Sequence, residues 1–335
     1  MSDGALTQLA AIGAQDFNFL SDDLNNSLFK ETEKKINNCC KATFSMYPFG
    51  KASWGTTSRF KIQKKGDLLG SIYFVAKLPK KGSYEDENGQ NKIYDKWVDY
   101  IGNVLIENIK LYIGGQLIDE QTGEFMQIYS DLKDDDWNKN CMIGHSERMS
   151  RLGGNKDHFY NEPTSDYVYV PLKFWFCESY EKYLPLIALQ YHDVEIEIKI
   201  REASQCLQLI KTGDPSSSNE DKELDRTSQH IVPPDSTYSG TGNKSPLEDV
   251  RLDCNYVLLD TEERKRFAQK DHEILITQTQ RISKNLFDSH NISLTFNHPV
   301  KEMFWYIQNT LIKNKPDPFN FSSGYDNYMD KQIYD

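Results

Sequence analysis

Gly240-Thr241-Gly242-Asn243-Lys244-Ser245 has the residue types of a phosphate-binding loop, in which backbone amides wrap the phosphates and a lysine meets their charge. The spacing fails the chemistry. That loop needs glycine directly before the lysine, with a strand before it and a helix after, whereas here Asn243 precedes Lys244 and Pro246 follows Ser245 in a polar stretch. A flexible connecting segment is the reading adopted. The seven histidines, His145, His158, His192, His230, His272, His290 and His298, include no pair at the helical spacing of a zinc site. His192-Asp193 could orient a general base, but no G-x-S-x-G nucleophile turn accompanies it, so it is read as structural. Asp134-Asp135-Asp136 offers hard oxygen ligands, yet Asp134–Glu147 lacks the alternating ligands and turn glycine of a calcium loop and reads as a solvated acidic loop.

Two aromatic runs remain, Phe174-Trp175-Phe176 and Met303-Phe304-Trp305-Tyr306-Ile307. They suit strands buried on both faces, with subunit interface as the alternative. The sequence therefore assigns no catalytic, cofactor-binding or metal-ligating residue, and no cofactor. An enzyme is not expected.

The elements that would position any site are mostly strands. Val194-Glu195-Ile196-Glu197-Ile198-Lys199-Ile200 alternates without a fault, as an antiparallel strand with one wet face does. Ile72–Leu78 and Ile109–Ile113 follow the same period. Gly114-Gly115 can supply the positive φ angles of a tight hairpin, with Gln116–Asp119 as the returning strand. Further strands are expected at Arg59–Gln63, Tyr167–Phe176, Leu184–Gln190, Asn255–Leu259, Ile274–Thr279, Ile292–Phe296 and Met303–Gln308. Helices are few: Thr122–Lys133, a stretch around Ala203–Ile210, and one opened by the capping sequence Asp260-Thr261-Glu262-Glu263. Thr212–Pro246 is almost free of apolar residues and reads as a linker or surface excursion. Lys80–Lys92 and Asp134–Asn155 read as polar loops. Many strands, few helices and long loops give an all-β chain of sandwiches.

At 335 residues the chain suits two domains. Its net charge of -11 repels phosphate, and the three bases of the short run Glu263–Phe267 are preceded and entered by the acids Glu262 and Glu263, so direct nucleic-acid binding is not expected. The six cysteines form no C-x-x-C pair and are too sparse for a disulfide scaffold, which points to a reducing compartment. Met1-Ser2-Asp3-Gly4 does not open a secretory signal, and no stretch approaches the roughly 20 apolar residues of a membrane span.

Several blocks resemble the major capsid proteins of nucleocytoplasmic large DNA viruses, the group of iridoviruses, phycodnaviruses and mimivirus-like viruses. They are Gly13-Ala14-Gln15-Asp16, Gly66-Asp67-Leu68, Ile113-Gly114-Gly115-Gln116-Leu117-Ile118-Asp119, Val170-Pro171-Leu172-Lys173-Phe174-Trp175-Phe176-Cys177 followed by Leu184–Val194, Leu259–Ala268 and Asn297–Glu302. The resemblance implies two tandem jelly rolls in one chain, trimers forming pseudo-hexagonal capsomers, and an icosahedral shell in the virion assembled in the host cytoplasm. It also implies as partners further copies of the chain (the homotrimer and neighbouring capsomers), minor capsid proteins, and an inner viral membrane near the capsid base.

The expected domains are an N-terminal base segment at 1–50, a first jelly roll at 51–211, a linker or surface loop at 212–249 and a partial second jelly roll at 250–335. Only four strands are expected after residue 250, so a fragment, one exon of a split gene or a shortened paralogue is anticipated. The alternatives are a minor capsid or assembly paralogue and a carbohydrate-binding β-sandwich. A cupin-like enzyme is disfavoured because the histidines are scattered.

Overall fold

The alternation read from the sequence is realised as two facing sheets. A computed structural model of the chain describes residues 39–79, 83–85, 92–98, 100–133, 142–144, 167–211, 230–232, 247–270, 272–284, 293–307 and 319. The strands of the sandwich are β1 (Cys39–Met46), β2 (Thr57–Ile62), β3 (Leu68–Lys77), β6 (Ile106–Ile113), β7 (Gln116–Thr122), β8 (Tyr167–Pro171), β10 (Val194–Ile200) and β13 (Glu248–Leu259). The two-residue strand β9 (Leu184–Pro185) pairs with the start of β3. One sheet has the order β1-β13-β3-β8 and the other β2-β10-β6-β7. All of these pairings are antiparallel. Eight strands split four and four in this order make a complete jelly roll.

The core lies between the inner faces. Phe60, Ile62, Ile109, Leu111, Val194, Ile196 and Ile198 come from one sheet, and Leu69, Ile72, Phe74, Val170, Leu252, Cys254 and Tyr256 from the other. Each such aliphatic or aromatic side chain contributes about 1.5–3 kcal/mol when fully buried. The outer face of β10 is wet, as its alternation implies. Arg59 pairs with Glu197 at 2.7 Å, Lys61 with Asp193 at 2.6 Å and Lys199 with Glu107 at 2.8 Å. Gly114 and Gly115 have φ of +60° and +80°, and their turn joins β6 to β7. Helices α1 (Ile101–Leu105), α2 (Gly123–Lys133), α3 (Ala203–Cys206) and α4 (Thr261–Gln269) are short, and the Asp260 side chain caps α4 by accepting from the Thr261 amide.

Strand pairing crosses the limits expected at residues 50 and 250. Strand β13, expected to open a second domain at residue 250, runs through the middle of the first. It pairs with β1 from Cys39↔Leu259 to Met46↔Leu252 and with β3 on its other side. β1 in turn falls inside the 1–50 segment that was set apart as a base. Sequence alternation identifies a strand but not its partner, and these partners are some 200 positions apart. The sandwich strands on either side of 212–249, β10 and β13, belong to the same jelly roll, so in sequence that stretch is an excursion between two of its strands.

Part of that excursion, β12 (His230–Val232), forms a small third sheet with β4 (Ser83–Glu85), β5 (Lys92–Trp97) and β11 (Leu207–Lys211), in the order β12-β11-β5-β4. Lys80–Lys92 is therefore partly strand. The expected helix around Ala203–Ile210 stops at Cys206, because Leu207–Lys211 has ladder partners on both sides. Within Asp134–Asn155 the described residues 142–144 are not a free loop: Ile143 is buried and its carbonyl accepts from the Gly102 amide.

The aromatic run Phe174–Phe176 is core, as expected, but not strand. Its three consecutive aromatic side chains are all buried, which a pleat cannot do in an edge strand. The chain coils into two 3₁₀ turns at Trp175–Cys177 and Tyr180–Lys182, separating β8 from β9. The expected strands Ile274–Thr279, Ile292–Phe296 and Met303–Gln308 form no ladder among the described residues. Where these segments meet each other, a side chain takes the ladder's place. The Gln280 amide donates to the Asn297 carbonyl at 3.2 Å and accepts from the Asn297 amide at 3.0 Å.

Candidate assembly flank

Edge strand β7 and helix α2 form one flank of the jelly roll, and residues 272–284 and 301–307 lie against it. β7 carries two inward polar residues, Asp119 and Gln121, where the alternation calls for apolar ones. Asp119 is satisfied by three N–H donors: the Thr279 amide at 2.8 Å, the Gln121 side chain at 2.8 Å and the Glu120 amide at 3.0 Å. Burial nevertheless holds its carboxyl above the ordinary carboxylate range, with those three donors pulling the other way. Gln278 donates to the Ile118 carbonyl beside it. One sequence-distant segment is thus pinned to β7 through both a side chain and its backbone.

Helix α2 supplies the second half of the flank. Phe304 packs edge-on against Phe125 and Tyr129, with ring centroids 6.2 and 6.5 Å apart. Lys133 pairs with Glu302 at 2.6 Å, and that bond holds the Glu302 carboxyl below its ordinary range. Beneath, Arg201 donates to the Val104 carbonyl at 2.9 Å and to Glu124 at 3.1 Å. Arg281 reaches the Tyr306 hydroxyl at 3.2 Å, and burial raises the pKa of that phenol. Exposure alternates along the run: Phe304 and Tyr306 face inward, while Met303, Trp305 and Ile307 stand in solvent, Trp305 at 80%.

Beside β7 an open groove of about 410 Å³ is lined by Ile113, Ile118, Trp175, Leu184, His192 and Ile274 among others. His192 lies over the hairpin, so a Cβ on Gly114 would sit 2.7 Å from its Nδ1. Asp193 is tied to Lys61, whose hydrogen bond lowers the carboxyl's pKa. His272 stacks on Phe267, and His298 lies at a positive φ. His145, His158, His290, Asp134–Asp136 and Gly240–Ser245 lie outside the described residues, and of His230 only the backbone is described. Among the described residues no group of three or more His, Cys, Asp or Glu could hold a metal ion.

The flank thus combines inward polar anchors, aromatic contacts and exposed apolar side chains. Sequence reading missed Asp119, Thr279 and the Arg201–Glu124 pair. The available signal was Asp119 and Gln121 at inward positions of an otherwise regular strand.

Residues 27–260 match the family described as major capsid protein N-terminus, and residues 263–333 match the large eukaryotic DNA virus major capsid protein. The chain belongs to this capsid family. It is 34% identical over 312 residues to capsid protein 1 of Acanthamoeba polyphaga mimivirus, an alignment covering 90% of this chain and 48% of that protein. It is 30% identical over 326 residues to the major capsid protein of Phaeocystis pouchetii virus, covering 91% of this chain and 58% of the relative. Among solved structures it resembles the quasi-atomic model of the PBCV-1 virus capsid, with a TM-score of 0.50 and 25% identity, over 75% of this chain and 50% of that one. The chain spans about half the length of the relatives it matches. The first family match ends at residue 260, one residue past β13, in agreement with the strand pairing.

Proposed function

We propose that this capsid-family chain is a structural subunit that associates with copies of itself, as trimeric pseudo-hexagonal capsomers, into an icosahedral viral shell. The observation that carries the reading is the complete eight-stranded sandwich in jelly-roll order, in a chain of this family. A sandwich with interlocked inner faces and satisfied ladders is a rigid wall, and its edges and loops are left for contacts. Exposed apolar side chains such as Leu275, Trp305, Ile307 and Tyr191 are what a subunit interface would cover. The role is structural, not catalytic. Residues from Thr261 onward belong, in this reading, to a second jelly roll, supported by the family match at 263–333. Minor capsid proteins and an inner membrane at the capsid base are the further partners, the virion is the final location, and assembly takes place in the host cytoplasm. No helix among the described residues is long and apolar enough to cross a membrane.

Sedimentation velocity over a concentration series tests the proposal. A species of three times the 38.9 kDa chain mass is expected. Monomer alone at the highest concentration would contradict it.

A further inference from the structure

Asp67 is the meeting point of four separate stretches of chain. Its side chain is 8% exposed. Its amide donates to the Val257 carbonyl at 3.0 Å, and its carbonyl accepts from the Ile187 amide at 3.2 Å. One carboxylate oxygen accepts from the Leu259 amide at 2.8 Å, and the other from Arg264 Nε at 3.0 Å. A single acidic residue therefore ties the entry to β3, the turn after β9, the last residue of β13 and helix α4. Space at the neighbouring position is equally restricted: a Cβ on Gly66 would lie 2.7 Å from that of Tyr256.

Helix α4 carries the chain out of the first jelly roll, and none of its residues is buried. No fully buried apolar side chain therefore fixes its direction, whereas most helices rely on a buried face. Among the described residues Arg264 ties it to the sandwich through Asp67 at 3.0 Å, whereas Arg266 pairs within the helix, to Glu263 at 3.4 Å. We infer that Asp67 and Arg264 are a positioning pair that sets the direction in which the chain leaves the first jelly roll, and thereby the seating of residues 272–284 and 301–307 on the β7–α2 flank. A charged donor on a carboxylate gives a stronger and more directional bond than a neutral pair.

Hydrogen exchange on the full chain tests this. Arg264→Gln changes a side chain that is 56% exposed, so the sandwich keeps its core. Amides of 261–284, the Thr279 amide included, should exchange faster by about fivefold or more, while those of β3 and β10 stay as in the wild type. Arg264→Lys, which keeps the charge, should recover part of the protection, and Arg266→Gln should change nothing beyond its own turn. Asp67→Asn should reproduce the Arg264→Gln pattern and add faster exchange at Leu259; if that buried change unfolds the sandwich, Arg264→Gln decides alone. Wild-type protection of 261–284 in Arg264→Gln would overturn the inference, as would equal loosening in Arg266→Gln or loosening spread evenly through the jelly roll.

Discussion

Replacing Tyr256 by alanine probes whether β13 is the closing strand of the first jelly roll. The side chain is fully buried between the sheets, its ring meets Phe44 edge-on at 5.7 Å, and its hydroxyl donates to the Gln63 carbonyl at 2.6 Å. Removing a buried aromatic side chain costs about 3–5 kcal/mol, and the lost hydrogen bond adds about 1 kcal/mol. For a domain of this size each kcal/mol moves the midpoint by roughly 2–4 °C, so Tyr256→Ala should lower Tm by roughly 8–24 °C. Tyr256→Phe keeps the ring and should cost only the hydrogen-bond share, roughly 2–4 °C. The assay is thermal unfolding followed by near-ultraviolet circular dichroism, which reports on the stacked Trp54 and Trp97 on the other side of the chain's long excursion. If residues 250–259 belonged to a separate domain, that signal would melt at the wild-type temperature in both variants. Such a result would refute the placement of β13.

Gly114→Val should be more damaging than Gly115→Ala. The first puts a branched side chain at φ +60° and against His192, at a cost of about 1–3 kcal/mol, whereas a Cβ on Gly115 meets nothing within 4 Å; urea melts compare them. Asp119 titrates above the ordinary carboxylate range, so the folded chain takes up that proton before the unfolded chain does. Its contribution to stability rises as pH falls below the raised value, and is lost as pH climbs back through it. Asp119→Asn removes this term, so its stability relative to wild type should decline between about pH 7 and about pH 4, and a constant difference would count against a buried carboxyl. Burial pushes the Cys177 and Cys206 thiols up to about 12 and raises that of Cys254 as well. Alkylation of the native chain should therefore label exposed Cys39 and Cys40 and spare those three until unfolding, as peptide mass spectrometry would show.

What could be read from the sequence was local. The uninterrupted alternation of Val194–Ile200 gives a strand and its wet face, because period two is imposed by the pleat itself. The Gly-Gly hairpin and the Asp260 cap follow from backbone angles and orphan amides within a few residues. Partners were not legible. Nothing near Cys39 or Leu259 announces that the two face each other, and so a boundary expected at residue 250 falls inside β13. The aromatic trio at Phe174 was legible as core but not as a coil, since its three buried side chains break the alternation that marks a strand. Met303–Ile307 has an apolar residue at every position, which suits a strand covered on both faces; here only Phe304 and Tyr306 are half-buried. The anchors Asp119 and Asp67 depend on donors about 160 and 200 positions away, and no spacing rule reaches that far.

The shell assignment and the revised domain boundary both require Cys39–Met46 and Leu252–Leu259 to be neighbouring strands in the observed register. Thr43 and Asn255 are register partners whose side chains touch at 2.6 Å, and antiparallel partners lie within disulfide reach. The double variant Thr43→Cys/Asn255→Cys, oxidised while folded, should give a disulfide-linked peptide pair joining positions 43 and 255 in a mass-spectrometric digest. Cysteines at these two positions that stay reduced, or that pair only with Cys39 or Cys40, would contradict the closed eight-stranded jelly roll.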